Sequence, residues 1–423
     1  QFSTTTKLSG LVWFNVTGAG SGGNVNLEGG DLQGTFLRNA SRTGGVPTVS
    51  TVTSNPQITF SQLVWLNLST SFTGKDQLVT QLSAGNGVSP ANVYASSGLF
   101  NTFGVPFTDQ TAGTTNGTSN FILHELFYSF PASDSIQFTV GPRVNWYRHF
   151  DSNRYTFFLF GAGSFNSIGS TLSNAIDRGS GAVVSWNINK QFKLNIAYLG
   201  ENTEFLPAGI PGLNFNTASN PNFGLFGGTN TATAELTYSP SSNLNIRLLY
   251  NRTNLQASFG QVGGAAGEPI YGFADDGVTG GGLSNASANT FSANFDYSFS
   301  PKFGIFGRYS FSTTDLYRTG GAGRAGTISA QAFQLGVGFP DLGKPGALAV
   351  ISYLVPFSVT DGGQFLVAGF GNGGKQYEIE ASYYYPLTDN IAIVPSFYLI
   401  GAANNFSNNP SVYVGNLRTQ FSF

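Results

Sequence analysis

The chain has 423 residues, with no cysteine and no methionine; charged side chains make up only 9% of it, and its formal net charge is -2. A soluble globular chain carries roughly 25% charged residues, so an ordinary water-facing surface is excluded, as is a nucleic-acid partner, which would require a concentrated basic face. The absence of cysteine also excludes a disulfide framework and thiolate chemistry, and the polarity comes from Asn, Ser, Thr and Gln set among 56 Gly, 39 Phe and 18 Tyr.

Read from the N-terminus, polar and apolar residues alternate from the start, and Thr4 to Thr17 is the first expected strand. Clusters of turn formers then recur at Thr73 to Asp76, Pro131 to Asp134, Asn189 to Gln191, Ser239 to Asn243, Ser300 to Lys302, Pro340 to Gly346 and Pro386 to Asn390. Long connections are expected between these turns, at 18–56, 86–120, 142–179, 200–229, 253–287, 313–327, 356–374 and 401–410. Strand Ala232 to Tyr238 places Glu235 on a polar face, and Asn289 to Phe299 sets Phe291, Phe295 and Phe299 against Thr290, Asn294 and Asp296. In Lys375 to Tyr385, Glu378 and Glu380 share one side. The final strand, Ser411 to Phe423, ends on an aromatic residue and in this resembles the terminal strands of bacterial outer-membrane barrels.

No apolar run approaches the ~20 residues of a spanning helix. About sixteen alternating strands with aromatic outer faces fit lipid instead. The expectation is an all-β protein in which 1–423 form one closed antiparallel transmembrane β-barrel, with short periplasmic turns, long extracellular loops and both termini periplasmic. At that strand number the interior is too wide for side chains to fill and should hold water. With no initiator methionine, the chain reads as processed or truncated.

Catalytic motifs are weak. His124-Glu125 starts like a zinc-protease helix but lacks the second histidine and reads as a pair on opposite faces of a strand. The two glycine patterns at Gly18/Gly20/Gly23 and Gly321/Gly323/Gly326 open no helix and read as loop coincidences. No catalytic residue, metal or cofactor is expected. Asp275/Asp276 and Glu201/Glu204 read as solvated loop acids, whereas Glu378 and Glu380 form an acidic ladder facing water in a lumen.

The connection 142–179 concentrates charge: Arg143, Arg148, His149, Asp151, Arg154, Asp177 and Arg178. Folded inward, it would form a basic constriction from Arg143, Arg148, His149, Asp151 and Arg154; folded outward, it is an ordinary solvated loop. Its apolar run Tyr155 to Phe160 favours packing over exposure. Arginine facing hydrocarbon is costly. Arg247, Arg308 and Arg418 should therefore face the lumen with Glu125, Glu235, Asp296, Glu378 and Glu380 as its wall.

Six blocks in order, FSTTTKLSG, TSFTGKDQLVTQLSAGN, LFGGTNTATAELTYSPSSNLNI, GFPDLGKPGAL, YPLTDNIAIVPSFYLI and SVYVGNLRTQFSF, resemble the cyanobacterial outer-membrane porins. That family is often called the iron uptake porins and is related to the carbohydrate-selective OprB-type porins. The resemblance implies a cyanobacterial outer membrane, a homotrimer, and passive diffusion of inorganic ions including iron, or alternatively of sugars. It also implies Phe423 as the assembly signal, and a peptidoglycan partner through an N-terminal surface-layer-homology domain and coiled coil that this chain does not contain. An outer-membrane enzyme or a plugged structural barrel are the readings from other classes.

Overall fold

The computed structural model describes residues 5–29, 40–87, 89–98, 121–156, 165–173, 176, 178–202, 217–263, 269–277, 281–321 and 323–423. Thr4, Asp177, Glu204 and 157–160 lie outside them.

Sixteen strands close into one barrel. They are β1 (Thr5–Ser21), β2 (Thr59–Ser71), β3 (Gln77–Asn86), β4 (Ile122–Pro131), β5 (Ile136–Asn145), β6 (Arg178–Asn187), β7 (Phe192–Glu201) and β8 (Asn230–Ser241). The second half comprises β9 (Leu244–Gln256), β10 (Leu283–Ser300), β11 (Phe303–Arg318), β12 (Arg324–Pro340), β13 (Leu348–Asp361), β14 (Tyr377–Pro386), β15 (Ile391–Gly401) and β16 (Val412–Ser422). Every strand is antiparallel to its sequence neighbours, and β1 pairs with β16, placing Trp13 opposite Gln420 and Asn15 opposite Arg418. Lipid tolerates no unpaired edge, so this seam has to close.

Period-2 alternation sets the two faces. On β10, Phe291 and Phe299 are 58% and 57% exposed outward, while Thr290 and Asp296 are 0% exposed inward. Leu8, Phe60, Ile196, Leu248, Leu335 and Ile351 extend the exposed apolar outer face around the wall. A surface of that kind is stable against hydrocarbon, not water. Among the described residues no helix is long and apolar enough to cross a membrane.

Seven tight connections gather at one end of the barrel. In the first, Gly74 takes a left-handed φ of 83°. Asp76 Oδ1 accepts the N–H groups of Phe72 and Thr73 at 3.0 and 2.8 Å, and its Oδ2 accepts Tyr128 OH at 2.6 Å. At the other end the long connections interlock. Strand Val25–Glu28 pairs with Val49–Val52, and Val262–Gly263, Phe273–Ala274 and Leu366–Ala368 form a second small sheet. The Arg42 guanidinium grips Asp275 through two bonds of 2.8 and 2.9 Å, and Asn404 donates to the carbonyls of Asn26 and Tyr94. Beneath them lies an apolar core inside the barrel mouth that includes Val25, Tyr94, Trp146, Phe150, Leu172, Tyr271 and Ile400.

Several expectations need correction. Residues 313–327 form no long loop: β11 and β12 run on to Arg318 and from Arg324, so the hairpin turns within 319–323. Polar side chains on both faces disguised these strand ends. Asp275, Asp276 and Glu201 are buried rather than solvated. Among the described residues, loop side chains pack against much of the inward wall, so the bore is narrowed rather than open across its full width.

Candidate functional site

The inward wall carries most of the strands' buried polar and charged residues, such as Asn15, Thr233, Thr290, Asp296 and Arg418, mixed with apolar ones such as Trp13 and Leu249. Against it lies the connection between β5 and β6, folded into the barrel. The first anchor is Trp146, whose Nε1 donates to Thr233 Oγ1 of β8 at 3.1 Å. Three positions past the 3-10 turn Trp146–Arg148, Asp151 takes a positive φ of 52° and donates its N–H to Glu235 Oε2 at 2.7 Å.

The Asp151 carboxylate is the centre of the anchoring network. Its Oδ1 accepts Arg308 Nε at 3.0 Å and Asn294 Nδ2 at 2.6 Å, and its Oδ2 accepts the N–H of Ser170 at 2.7 Å. Asn153 Nδ2 donates to Asn294 Oδ1 at 2.8 Å, and Tyr155 OH hydrogen-bonds Ser298 Oγ at 2.8 Å. Arg154 reaches Ser242 O at 2.8 Å, in the turn between β8 and β9, so the loop extends down to the short-turn end of the barrel. On the returning limb, Asn166 Nδ2 donates to Glu378 Oε1 at 2.8 Å and Ser167 O accepts Gln334 Nε2 at 3.0 Å. Thr171 Oγ1 donates to Pro356 O, and Ser173 Oγ meets Ser292 Oγ at 2.7 Å.

The candidate charges separate into two groups. Arg148, Asp151 and Arg154 ride on the inserted loop, with Arg148 Nε 2.6 Å from Glu125 Oε2 and Arg154 Nε 3.4 Å from Asp296 Oδ1. Arg143 does not belong to the loop: β5 continues through a bulge at Gly141-Pro142 to Asn145, and Arg143 is an inward wall residue whose Nε donates to His124 O at 3.3 Å. His149 is part-buried, and its carbonyl accepts Asn195 Nδ2 at 2.6 Å. Burial first, then Arg148 and Lys193, pull its imidazole down to about 4, so it adds no positive charge near neutrality.

On the wall, Glu125, Glu235, Arg247, Asp296, Arg308, Glu378, Glu380 and Arg418 are all buried from the outer face. Arg247 Nη1 donates to Asp296 Oδ2 at 2.8 Å. Arg418 lies 4.2 Å over the Trp13 ring, which packs against Trp65, and Trp65 in turn against His124. His124 and Glu125 do not occupy opposite faces: the register shift opposite Gln81 leaves both buried, with His124 Nδ1 2.5 Å from Gln81 Oε1. Among the described residues no group of three or more His, Cys, Asp and Glu could hold a metal ion.

Sequence reasoning missed Asn153, Asn166, Asn294 and Gln334, which carry the anchoring as much as the charges do. A neutral amide gives no signal in a chain rich in Asn. Phe423 is at the seam: its N–H and C=O pair with Gly10 at 3.1 and 2.8 Å, and its ring covers the Gly10 Cα.

A closed sixteen-stranded barrel with an apolar exterior, a polar interior and an inserted third loop defines the class of outer-membrane porins. The profile described as "Carbohydrate-selective porin, OprB family" matches residues 1–423, and the chain belongs to that family. It is 27% identical to an uncharacterized protein of Nostoc sp. over 444 aligned positions covering all of this chain, and 27% identical to an uncharacterized protein of Synechocystis sp. over 87% of it. The chain spans 66% and 64% of those two relatives' lengths. Its fold is similar to that of Pseudomonas putida OprB in a high-pH structure, with TM-score 0.62, 14% identity and 99% and 94% of the two chains covered. It is also similar to an anion-selective porin from Comamonas acidovorans, with TM-score 0.53, 12% identity and full coverage of both chains.

Proposed function

We propose that this barrel is a passive outer-membrane channel for small hydrophilic solutes, with neutral sugars rather than inorganic ions as its main cargo. The observation that carries this reading is charge pairing. Arg148 and Arg308 each have their own carboxylate, at 2.6 and 3.0 Å, and Arg154 and Arg247 share Asp296 at 3.4 and 2.8 Å. Paired charges leave a weak net field for an ion yet keep a dense array of donors and acceptors, which can replace the water around sugar hydroxyls. Family membership supports the sugar reading over iron uptake. Selection of ions by the loop arginines is the second reading, favoured by the partial exposure of Arg148 and Arg154.

In this reading the short turns face the periplasm and the interlocked loops face outside. The setting is a bacterial outer membrane, and the Nostoc and Synechocystis relatives support a cyanobacterial one. We infer a homotrimer, Phe423 as the signal to the assembly machinery, and peptidoglycan attachment through segments present in longer relatives.

Planar-bilayer recording and liposome swelling test the proposal together. The expected result is stepwise conductance with weak ion preference and swelling in glucose and sucrose. Strong ion selectivity without sugar uptake would replace it with the ion reading, and an absence of openings would indicate a plugged barrel.

A further inference from the structure

Gly304 on β11 and Gly336 and Gly338 on β12 stand on the inward face, with Gly304 opposite Gly338 and Phe306 opposite Gly336. Glycine inside a strand is unfavourable. None of these three has a left-handed φ, so the backbone does not require them. Space does. A Cβ on Gly338 would overlap the Tyr155 ring, which supplies all three of its nearest atoms; a Cβ on Gly304 would overlap the Tyr155 hydroxyl, and one on Gly336 the Phe306 ring. Tyr155 is fully enclosed there, stacked on Phe306 at 5.7 Å between ring centroids and flanked by Val350. The socket lies near the short-turn ends of both strands, at the deepest reach of the described part of the inserted loop.

We propose that this glycine socket is the positioning site that sets the channel's limiting width, by seating Tyr155 and so holding the loop across the lumen. The Arg308–Asp151 pair fixes the loop where it enters the lumen, but at its far end the bonds of Arg154 and Tyr155 to Ser298 are ones that water can replace. An emptied socket has no such substitute: the Tyr155 ring gives up its apolar seat against Phe306 and Val350. The inference rests on the channel reading for its consequence, but the seating itself is a separate property.

Hydrogen exchange and conductance of the full chain, compared among wild type, Tyr155→Ala, Gly338→Leu, their double mutant and Tyr155→Phe, test it. Tyr155→Ala and Gly338→Leu should each raise exchange across 151–156 by about tenfold, with barrel-strand protection unchanged. Each should raise single-channel conductance roughly twofold and admit a larger sugar. Both substitutions empty the same seat, so the double mutant should match the singles, and Tyr155→Phe, which keeps the ring, should conduct like wild type. If Gly338→Leu does not fold, Tyr155→Ala alone decides. Unchanged exchange in folded Tyr155→Ala overturns the seating, and raised exchange with unchanged conductance overturns its control of width. If wild type itself does not conduct, the channel reading and the width claim both fail, while exchange still decides the seating.

Discussion

Arg308 and Asp151 form a buried ion pair across the lumen, 157 residues apart in sequence, with Nε donating to Oδ1 at 3.0 Å and both side chains at most 3% exposed. The same guanidinium donates through Nη2 to Asp151 O at 3.0 Å and Thr156 Oγ1 at 2.8 Å, and through Nη1 to Gln334 Oε1 at 2.8 Å. Nη2 also donates to Ile168 O at 3.3 Å, so one wall arginine holds both limbs of the inserted loop. Breaking a buried pair by removing one partner leaves an uncompensated charge and costs about 3–5 kcal/mol. Arg308→Ala should loosen the loop by that order while the barrel stays folded. Calorimetry together with exchange at Asp151 and Ser170 measures it; wild-type protection at both would refute the assignment.

Glu28 links two of the interlocked loops, its carboxylate accepting the N–H of Gly371 at 2.9 Å and that of Gly369. Burial is the largest influence and pushes its carboxyl up from 4.5 to about 7, against the opposing pull of those amides and of Arg42. The docked loops then bind more protons than the undocked ones between those values, so docking weakens as pH rises through the window. The full swing is about 3 kcal/mol. Exchange at Gly369 and Gly371 should accelerate between pH 5 and 8 beyond its intrinsic pH dependence. Glu28→Gln should remove that extra dependence, and an identical profile in the variant would rule Glu28 out.

Replacing Arg143, Arg148 and Arg154 together by glutamine leaves Glu125 without its arginine, while Asp296 keeps Arg247. Reversal potentials should move toward cations by roughly threefold in permeability ratio, because fixed positive charge is lost from a narrow aqueous path. An unmoved potential would mean these groups lie off the permeation path.

Gly10 is the place where the C-terminal ring closes the seam. A Cβ there would overlap the Phe423 ring. Gly10→Leu should therefore cost about 1–3 kcal/mol by overpacking, visible as a lower temperature of conversion from folded to unfolded mobility on gels. An unchanged transition would show that the ring can move aside freely.

The wall was legible in the sequence because two local signals mark it. Alternation places Phe291 and Asp296 on opposite faces, and clusters such as Pro386 to Asn390 end strands whatever lies around them. The loop's route was not legible. It depends on contacts such as Tyr155 with Gly304 and Gly338, between segments that carry no joint signature in one chain. Arg143 was misplaced because Gly141-Pro142 looks like the end of a strand, whereas here it bulges and the strand continues.

The inserted connection also has a mechanical consequence. It leaves β5 and returns to β6, adjacent staves of the cylinder, yet it is fastened to β8, β10, β11, β12, β13 and β14. It is a strut spanning a hoop. Hydrogen-bond ladders resist stretching along the wall but offer little resistance to flattening, since neighbouring strands can hinge about one another. A strut fixed from β5 to β14 opposes that flattening, so the roundness of the barrel under lateral membrane pressure is held from inside.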